Sequence, residues 1–215
     1  DVYKRQFIIF SKLLNFSAKI FDVVSPTFLI LKELMKFFNL IDFFVLISLY
    51  TFDCGKLLIE NVDIKSFNEK KISSFRNEKI GFIFQFHHLL PDFTILDNVL
   101  IPLWIKNGFG QYDRPIELLD EFGLLKLKDK YPTEISGGER QRVAIIRSIV
   151  NKPKILFADE PSGNLDEKNS TKLIDLFKRI NRDFSTTIML TTHNPSIANI
   201  GNNVYELKSG LLKKQ

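Results

Sequence analysis

The sequence predicts an α/β fold, a mainly parallel sheet with helices packed on it and a helical subdomain within it. Three features carry that expectation. From residue 152 on, the apolar pattern runs strand, helix, strand, then a final strand or hairpin. Apolar runs of strand length end near residues 84, 158 and 190, and each is followed by polar residues. Between the first two, residues 86–151 carry helix boundary signals instead.

Residues 1–54 stand apart. They hold ten of the 21 phenylalanines and none of the ten glycines. A stretch of that length without glycine has few places for tight turns and reads as helical or irregular apolar sequence. Phe37–Phe52 is strongly apolar, but Asp42 interrupts it and it falls short of the ~20 residues that cross a bilayer, so a buried helix or strand is expected. Residues 1–20 lack the apolar length and small-residue cleavage site of a signal peptide.

From Gly55 the local signals agree with one another. Lys56–Glu60 is a short apolar strand, followed by a turn-like Asn61-Val62-Asp63. The polar, charged stretch Ser66–Lys79 reads as a solvated helix or loop, and Ile80–Phe84 as a buried strand. Thr94 with Asp97 three residues later is a capping-box pattern ahead of Val99 and Leu100. Pro115 and Gly123 frame a helix over Ile116–Phe122. Val143, Ile146 and Val150 fall on one face of another helix. Lys154–Ala158 is an apolar strand, and Leu173, Ile174, Phe177 and Ile180 form a helical stripe. Thr187–Leu190 and Asn203–Leu207 are strand-like.

Bulk properties narrow the function classes. Apolar content of 45% and charged content of 26% are ordinary for a globular domain. A net charge of +5 permits nucleotides or a membrane surface as partners but does not point to DNA. The single cysteine, Cys54, excludes an intramolecular disulfide framework and a Cys-rich zinc site, and reads as a plain packed thiol.

The chemistry-bearing residues lie at predicted strand ends and at one helix start. Ser136-Gly137-Gly138-Glu139 forms a second capping box, in which the glycines leave amide N–H groups open at the positive end of a helix dipole. Alone, it reads as an ordinary capped helix after a Gly turn. Asp159-Glu160 follows an apolar strand, where ligands sit in open α/β sheets. There the first carboxylate can hold Mg²⁺ and the second can orient or deprotonate a water, whereas an isolated Asp-Glu is usually a solvated loop. Ser162-Gly163-Asn164-Leu165-Asp166 is a turn with Asp166 near a helix start. His193 and Gln85 occupy two further strand ends. The joint pattern is more specific than any member.

In this combination the chain resembles the ATP-binding subunits of ABC transporters, which are P-loop NTPase-like. Ile135–Gln141 is similar to the family's signature motif, with Ile in place of Leu, and Ile155–Glu160 to its Walker B strand. Ser162–Asp166 resembles the D-loop, His193 the switch histidine and Gln85 the Q-loop. Within the family, Gly81–Thr94 is most similar to lipoprotein-releasing (Lol-type) subunits. His87 and His88 lack further metal ligands and read as part of the surface that meets the membrane partner.

The resemblance implies ATP and Mg²⁺ as cofactors. Glu160 would be the general base, Asp159 and Gln85 would serve Mg²⁺, and His193 would contact the γ-phosphate. Ser136, Gly137 and Gly138 would act in trans on the partner's ATP, with Glu139 and Asp166 also at nucleotide-facing positions. It further implies a head-to-tail dimer with a second ATP-binding subunit, transmembrane permease subunits, no nucleic acid partner, and a peripheral location at the cytoplasmic face of the inner (plasma) membrane. The expected division is an atypical segment 1–54, an ATPase core at 55–85 and 152–215, and a helical signature subdomain at 86–151.

One part is missing. P-loop ATPases carry Gly-x-x-x-x-Gly-Lys-[Ser/Thr], whose amides cradle the phosphates and whose Lys reaches the β and γ phosphates. These 215 residues contain no such motif. Cys54-Gly55-Lys56-Leu57 lacks the first Gly and the hydroxyl residue and lies too close to Gln85. Near residue 40, where the family places the loop, the chain reads Phe37-Phe38-Asn39-Leu40-Ile41. Two explanations stand side by side. Residues 1–53 are not the native reading, as after a frame error or a wrong join. Alternatively, the chain has lost its P-loop and offers only its signature surface in trans.

Overall fold

The computed structural model describes residues 5–10, 58–59, 62–110, 112–162, 167–192, 194–198, 201–208 and 211–214. Phe37–Phe52, Cys54, Gly55, Gly163–Asp166 and His193 therefore lie outside the described residues.

A six-stranded sheet is built from β1 (Arg5–Phe10), β4 (Ile80–Ile83), β5 (Ile155–Asp159), β6 (Thr187–Thr192), β7 (Asn203–Lys208) and β8 (Leu211–Lys214), in the order β4-β5-β6-β1-β7-β8. A separate two-stranded ribbon pairs β2 (Leu58–Ile59) with β3 (Val62–Asp63). The helices are α1 (Glu69–Lys79), α2 (Ile95–Asn107), α3 (Asp113–Glu121), α4 (Gly137–Ile149), α5 (Glu167–Phe184) and α6 (Pro195–Ala198). Strands β4, β5 and β6 pair in parallel, with Ile83 opposite Ala158 and Asp159 opposite Thr191. Strand β1 is antiparallel to both β6 and β7, so β7 shares the direction of β4–β6, and β8 returns antiparallel as a hairpin partner. Four of the six strands thus run one way, and the parallel core is the part fixed by crossovers through helices.

The strand β1 has no counterpart in the expectations drawn from sequence. Its direction matters. It meets the carboxyl end of β6 with its own beginning, Gln6 opposite Thr192, and therefore leaves the sheet at the opposite edge.

Side-chain alternation divides the core into two layers. Leu156 and Ala158 of β5, with Ile188 and Leu190 of β6, face a cluster completed by α2, α3, α4 and α5. Ile155, Phe157 and Met189 face the other side, against Ile59, Ile64, Ile80 and the partly buried Phe67, Ile72 and Phe75. Strand β5 is buried over its whole length, as expected of a strand covered on both faces. The polar stretch ahead of β4 resolves as a helix, α1, which buries none of its residues and starts at Asn68, whose side chain accepts the Lys71 N–H at 2.9 Å.

Both capping boxes form. Thr94 Oγ1 accepts the Asp97 N–H at 3.1 Å while Asp97 Oδ2 accepts the Thr94 N–H at 3.2 Å. Two further donors at the start of α2 are satisfied by the loop ahead of α4, with the Ile95 N–H bonding Lys130 O and the Leu96 N–H bonding Lys128 O. The fully buried Asn98 then organises the segment between β4 and α2. Its Nδ2 donates to the carbonyls of Leu90, Phe93 and Thr94, and its Oδ1 accepts the Leu90 N–H at 2.8 Å. Replacing it removes four hydrogen bonds to the backbone of residues 90–94. Asn98→Ala should lower unfolding free energy by about 2–3 kcal/mol in urea denaturation, and a loss below about 0.5 kcal/mol contradicts that role.

Among the described residues, no helix is long and apolar enough to cross a membrane.

Candidate functional site

The carboxyl ends of β4 and β5 bring three of the sequence-selected residues to one edge. Gln85 lies two residues past the end of β4, Asp159 is the last residue of β5, and Glu160 follows it. Asp159 and Glu160 are 6% and 4% exposed, which removes the solvated-loop alternative for the pair. Buried carboxylates are retained only with partners. Thr191 of β6 supplies one, its Oγ1 donating to Asp159 Oδ1 at 2.6 Å, and Thr191 is itself fully buried. The backbone N–H of Glu160 donates to Thr191 O at 3.0 Å. Glu160 sits at φ +41, in the left-handed region that non-glycine residues seldom adopt. Such a conformation costs on the order of 1–3 kcal/mol and persists where the surroundings hold it, often at functional sites.

Ser136, Gly137, Gly138 and Glu139 form the second element. Ser136 is the N-cap of α4; its Oγ accepts the Glu139 N–H at 3.3 Å and donates to Glu139 Oε2 at 2.7 Å, and Glu139 Oε2 accepts the Ser136 N–H at 2.8 Å. These bonds to Ser136, followed by the nearby Arg142 charge, hold the Glu139 carboxyl below its ordinary range, so it is ionised at neutral pH. Ser136 and Gly137 are exposed. The Ser136 hydroxyl is thus committed to Glu139, and the helix start offers the Gly137 and Gly138 amides to an anion approaching from outside.

This helix is tied to the strand-end loops of the sheet. Gln141, buried on α4, donates through Nε2 to the carbonyl of Pro161, directly after Glu160. Arg147, near the end of α4, donates to the carbonyls of His87 and His88, just after Gln85. Burial lowers the pKa of the His87 imidazole, and the Arg140, Arg147 and His88 charges lower it further. The segment beyond β4 displays Phe86, Leu90 and Phe93 to solvent, with Phe86 66% exposed.

His193 and Asp166 fall outside the described residues, so the structure places neither. Thr191, Gln141, Arg147 and Asn98 were given no role on sequence grounds. Thr191 carried one signal, a hydroxyl at the end of an otherwise apolar strand. The others needed the tertiary contact.

As a cation site, the strand-end edge offers hard oxygen donors, a carboxylate at Asp159 and an amide at Gln85. Among the described residues, no group of three or more His, Cys, Asp or Glu gathers to hold a metal. The chemistry of the Asp159 and Gln85 donors suits Mg²⁺, which takes one or two protein oxygens and completes its shell with water and substrate phosphates. A phosphate cradle is a different matter. It would require a strand whose carboxyl end feeds a glycine-rich loop at this edge. Strand β1 reaches the edge by its beginning, so it does not fit that role.

The profile of the ABC transporter family matches residues 43–163, starting upstream of Gly55. The lipoprotein-releasing system ATP-binding protein LolD of Blochmanniella floridana is 43% identical over 162 residues, covering 74% of this chain and 68% of the relative. LolD of Cytophaga hutchinsonii is 43% identical over 162 residues, covering 74% of each chain. Among solved structures, the ATP-binding cassette MJ0796 in a dimeric post-hydrolysis state with ADP and Pi superposes with a TM-score of 0.69 at 31% identity, over 78% of this chain and 75% of that one. With the strand-end carboxylates, the capped glycine helix start and these similarities in agreement, the chain belongs to the ABC transporter family of ATP-binding proteins.

Proposed function

We propose that the chain is the ATP-binding subunit of a lipoprotein-releasing ABC transporter and that, as its sequence stands, it contributes by offering its signature surface in trans to ATP held by a second subunit. The exposed start of α4 carries this reading. Ser136 caps this helix start, and Gly137 and Gly138 present open amides and the helix dipole outward, where the phosphates of a nucleotide on another subunit can reach them. The relatives named LolD supply the lipoprotein-release assignment.

Residues 86–151 act in this reading as the helical signature subdomain, and 55–85 with 152–215 as the ATPase core. In the parent design, Asp159 and Gln85 hold Mg²⁺, which would supply charge neutralisation on the phosphates. Glu160 takes a proton from the attacking water, and His193 and Asp166 complete the nucleotide-facing edge. Phe86, Leu90 and Phe93 form the apolar part of the surface that faces the permease, at the cytoplasmic side of the inner membrane. No hydrolytic step is assigned to this chain's own edge, because its 215 residues contain no Gly-x-x-x-x-Gly-Lys-[Ser/Thr] motif to cradle the β and γ phosphates.

The test is Mg²⁺-dependent ATP turnover by the purified chain, alone and mixed with an ATP-binding subunit that carries its own P-loop. The chain alone should show no turnover above background, since loss of the cradle removes most of the positioning and charge stabilisation of phosphoryl transfer. The mixture should turn over ATP faster than the second subunit by itself. Turnover by the chain alone would overturn the trans-only role.

A further inference from the structure

Helix α4 is packed on the sheet by Val143, Ile145, Ile146 and Ile149, all buried. Apolar packing is not directional, so it holds the helix against the sheet but sets its tilt less sharply than its distance. Directional bonds at two points restrain the tilt. One is Gln141 to Pro161 O in the loop after β5. The other is Arg147, whose Nη1 donates to His88 O and Nη2 to His87 O, both at 2.8 Å, in the segment after β4.

The Arg147 contact is unusual in three respects. A basic residue in the last turn of a helix ordinarily serves that helix's own final carbonyls. Arg147 instead reaches residues 59 and 60 positions earlier in the chain. Its guanidinium is buried enough for desolvation to lower its pKa, and among the described residues it forms no ion pair with a carboxylate. A partly buried cation satisfied by neutral carbonyls is a poor source of stability, and its distinguishing property is geometric. One planar fork binds two consecutive carbonyls and so fixes both peptide planes, next to His88 at φ +46.

We propose that Arg147 is a positioning residue for the signature surface. By clamping the His87 and His88 carbonyls it sets the tilt of α4 against the strand-end loops, and it couples the placement of Ser136–Gly138 to the exposed segment 86–93. The lever is long. Ten residues separate Arg147 from Gly137, roughly 15 Å of helix at about 1.5 Å per residue, so a tilt of about 5° moves the helix start by about 1 Å. A displacement of that size in a phosphate-facing group is enough to cost on the order of 100-fold in rate.

The experiment uses the full chain with Arg147→Met, which removes the fork, and Arg147→Lys, which keeps charge and stem but offers a single point donor. With Cys54→Ser as background, spin labels at Thr133→Cys and Lys172→Cys report the distance between the loop ahead of α4 and α5. The expected result is a narrow distance distribution in the parent, a broadened or shifted one in Arg147→Met, and an intermediate one in Arg147→Lys. Equal distributions in all three overturn the proposal, and Arg147→Lys decides it if Arg147→Met does not fold.

A second arm rests on the trans reading above. In the mixture with a P-loop-bearing subunit, kcat should fall at least tenfold in Arg147→Met while the KM for ATP stays within about twofold, because ATP is held by the other subunit. An equal kcat overturns the proposal. If the parent mixture shows no stimulated turnover, the trans reading fails, and the distance measurement alone decides the role of Arg147.

Discussion

Gly138→Ala should melt higher than the parent chain and yet lose nearly all of its ability to stimulate ATP turnover by a P-loop-bearing subunit. The two halves of this result come from different physics. A methyl group at Gly138 meets nothing nearer than Arg142 Nη1 at 4.0 Å, and at Gly137 nothing nearer than Arg140 Nη2 at 3.8 Å. Neither glycine has a positive φ. The fold itself therefore does not require glycine at either position. Alanine is the better helix former by about 0.5–1 kcal/mol, worth roughly 1–4 °C in a domain of this size. What glycine supplies is access. The same methyl stands where a phosphate must approach the first amides of α4, and holding it off by about 1 Å costs on the order of 100-fold in rate. A variant with unchanged stimulation would show that nothing approaches this helix start closely, and the trans-acting role would fall with it.

That separation between what the fold needs and what the surface needs also governs how much was legible in the sequence. The parallel core was readable because β4, β5 and β6 are short apolar runs buried on both faces, and their polar successors mark the edge where ligands bind. Both capping boxes were readable because the bonds lie three residues apart, as with Thr94 to Asp97 and Ser136 to Glu139. Contacts such as Arg147 to His87 and His88, or Gln141 to Pro161, bridge tens of residues and leave no local pattern. The strand β1 was not readable either. Its six residues pair in a slot between β6 and β7 that exists only once both are assembled.

The direction of β1 sharpens the question raised by the missing motif. A phosphate-binding loop must leave the sheet at the edge where Asp159 and Gln85 stand. The chain after β1 leaves from the other edge. Sequence and topology thus independently deny the strand-end carboxylates a nucleotide cradle from residues 5–10. The same carboxylates are buried and, in the case of Glu160, held at φ +41. A strained, buried acid is an expensive feature, which is consistent with a core of the ATP-hydrolysing family to which the chain belongs.

Gly81→Ala should be among the most destabilising single-methyl changes in the described part of the chain, at about 3 kcal/mol in urea unfolding. Gly81 lies on β4 opposite Leu156, at the closest approach of the sheet to α4. A Cβ there would stand 2.4 Å from Ser148 O, 2.9 Å from Leu156 Cδ1 and 3.3 Å from Pro153 Cγ. The first of these decides the magnitude. Ser148 O is helix backbone, so no rotamer change relieves the overlap and α4 must move outward by about 1 Å or more to reach ordinary contact. The Leu156 contact is softer, because a side chain can shift. It follows that trimming Leu156 to Ala should not rescue Gly81→Ala, and the double variant should be less stable than either single one. Rescue would mean that the limiting contact is the leucine and that α4 does not sit on β4 as described. A lone glycine in an apolar strand signals such a close approach, and here it brings against the sheet the helix that carries Arg147 and presents Ser136–Gly138. If the packing is as described, Gly81→Ala should depress stimulated turnover even at temperatures where the variant is fully folded, because the outward shift of α4 moves the same helix start that Gly138→Ala obstructs.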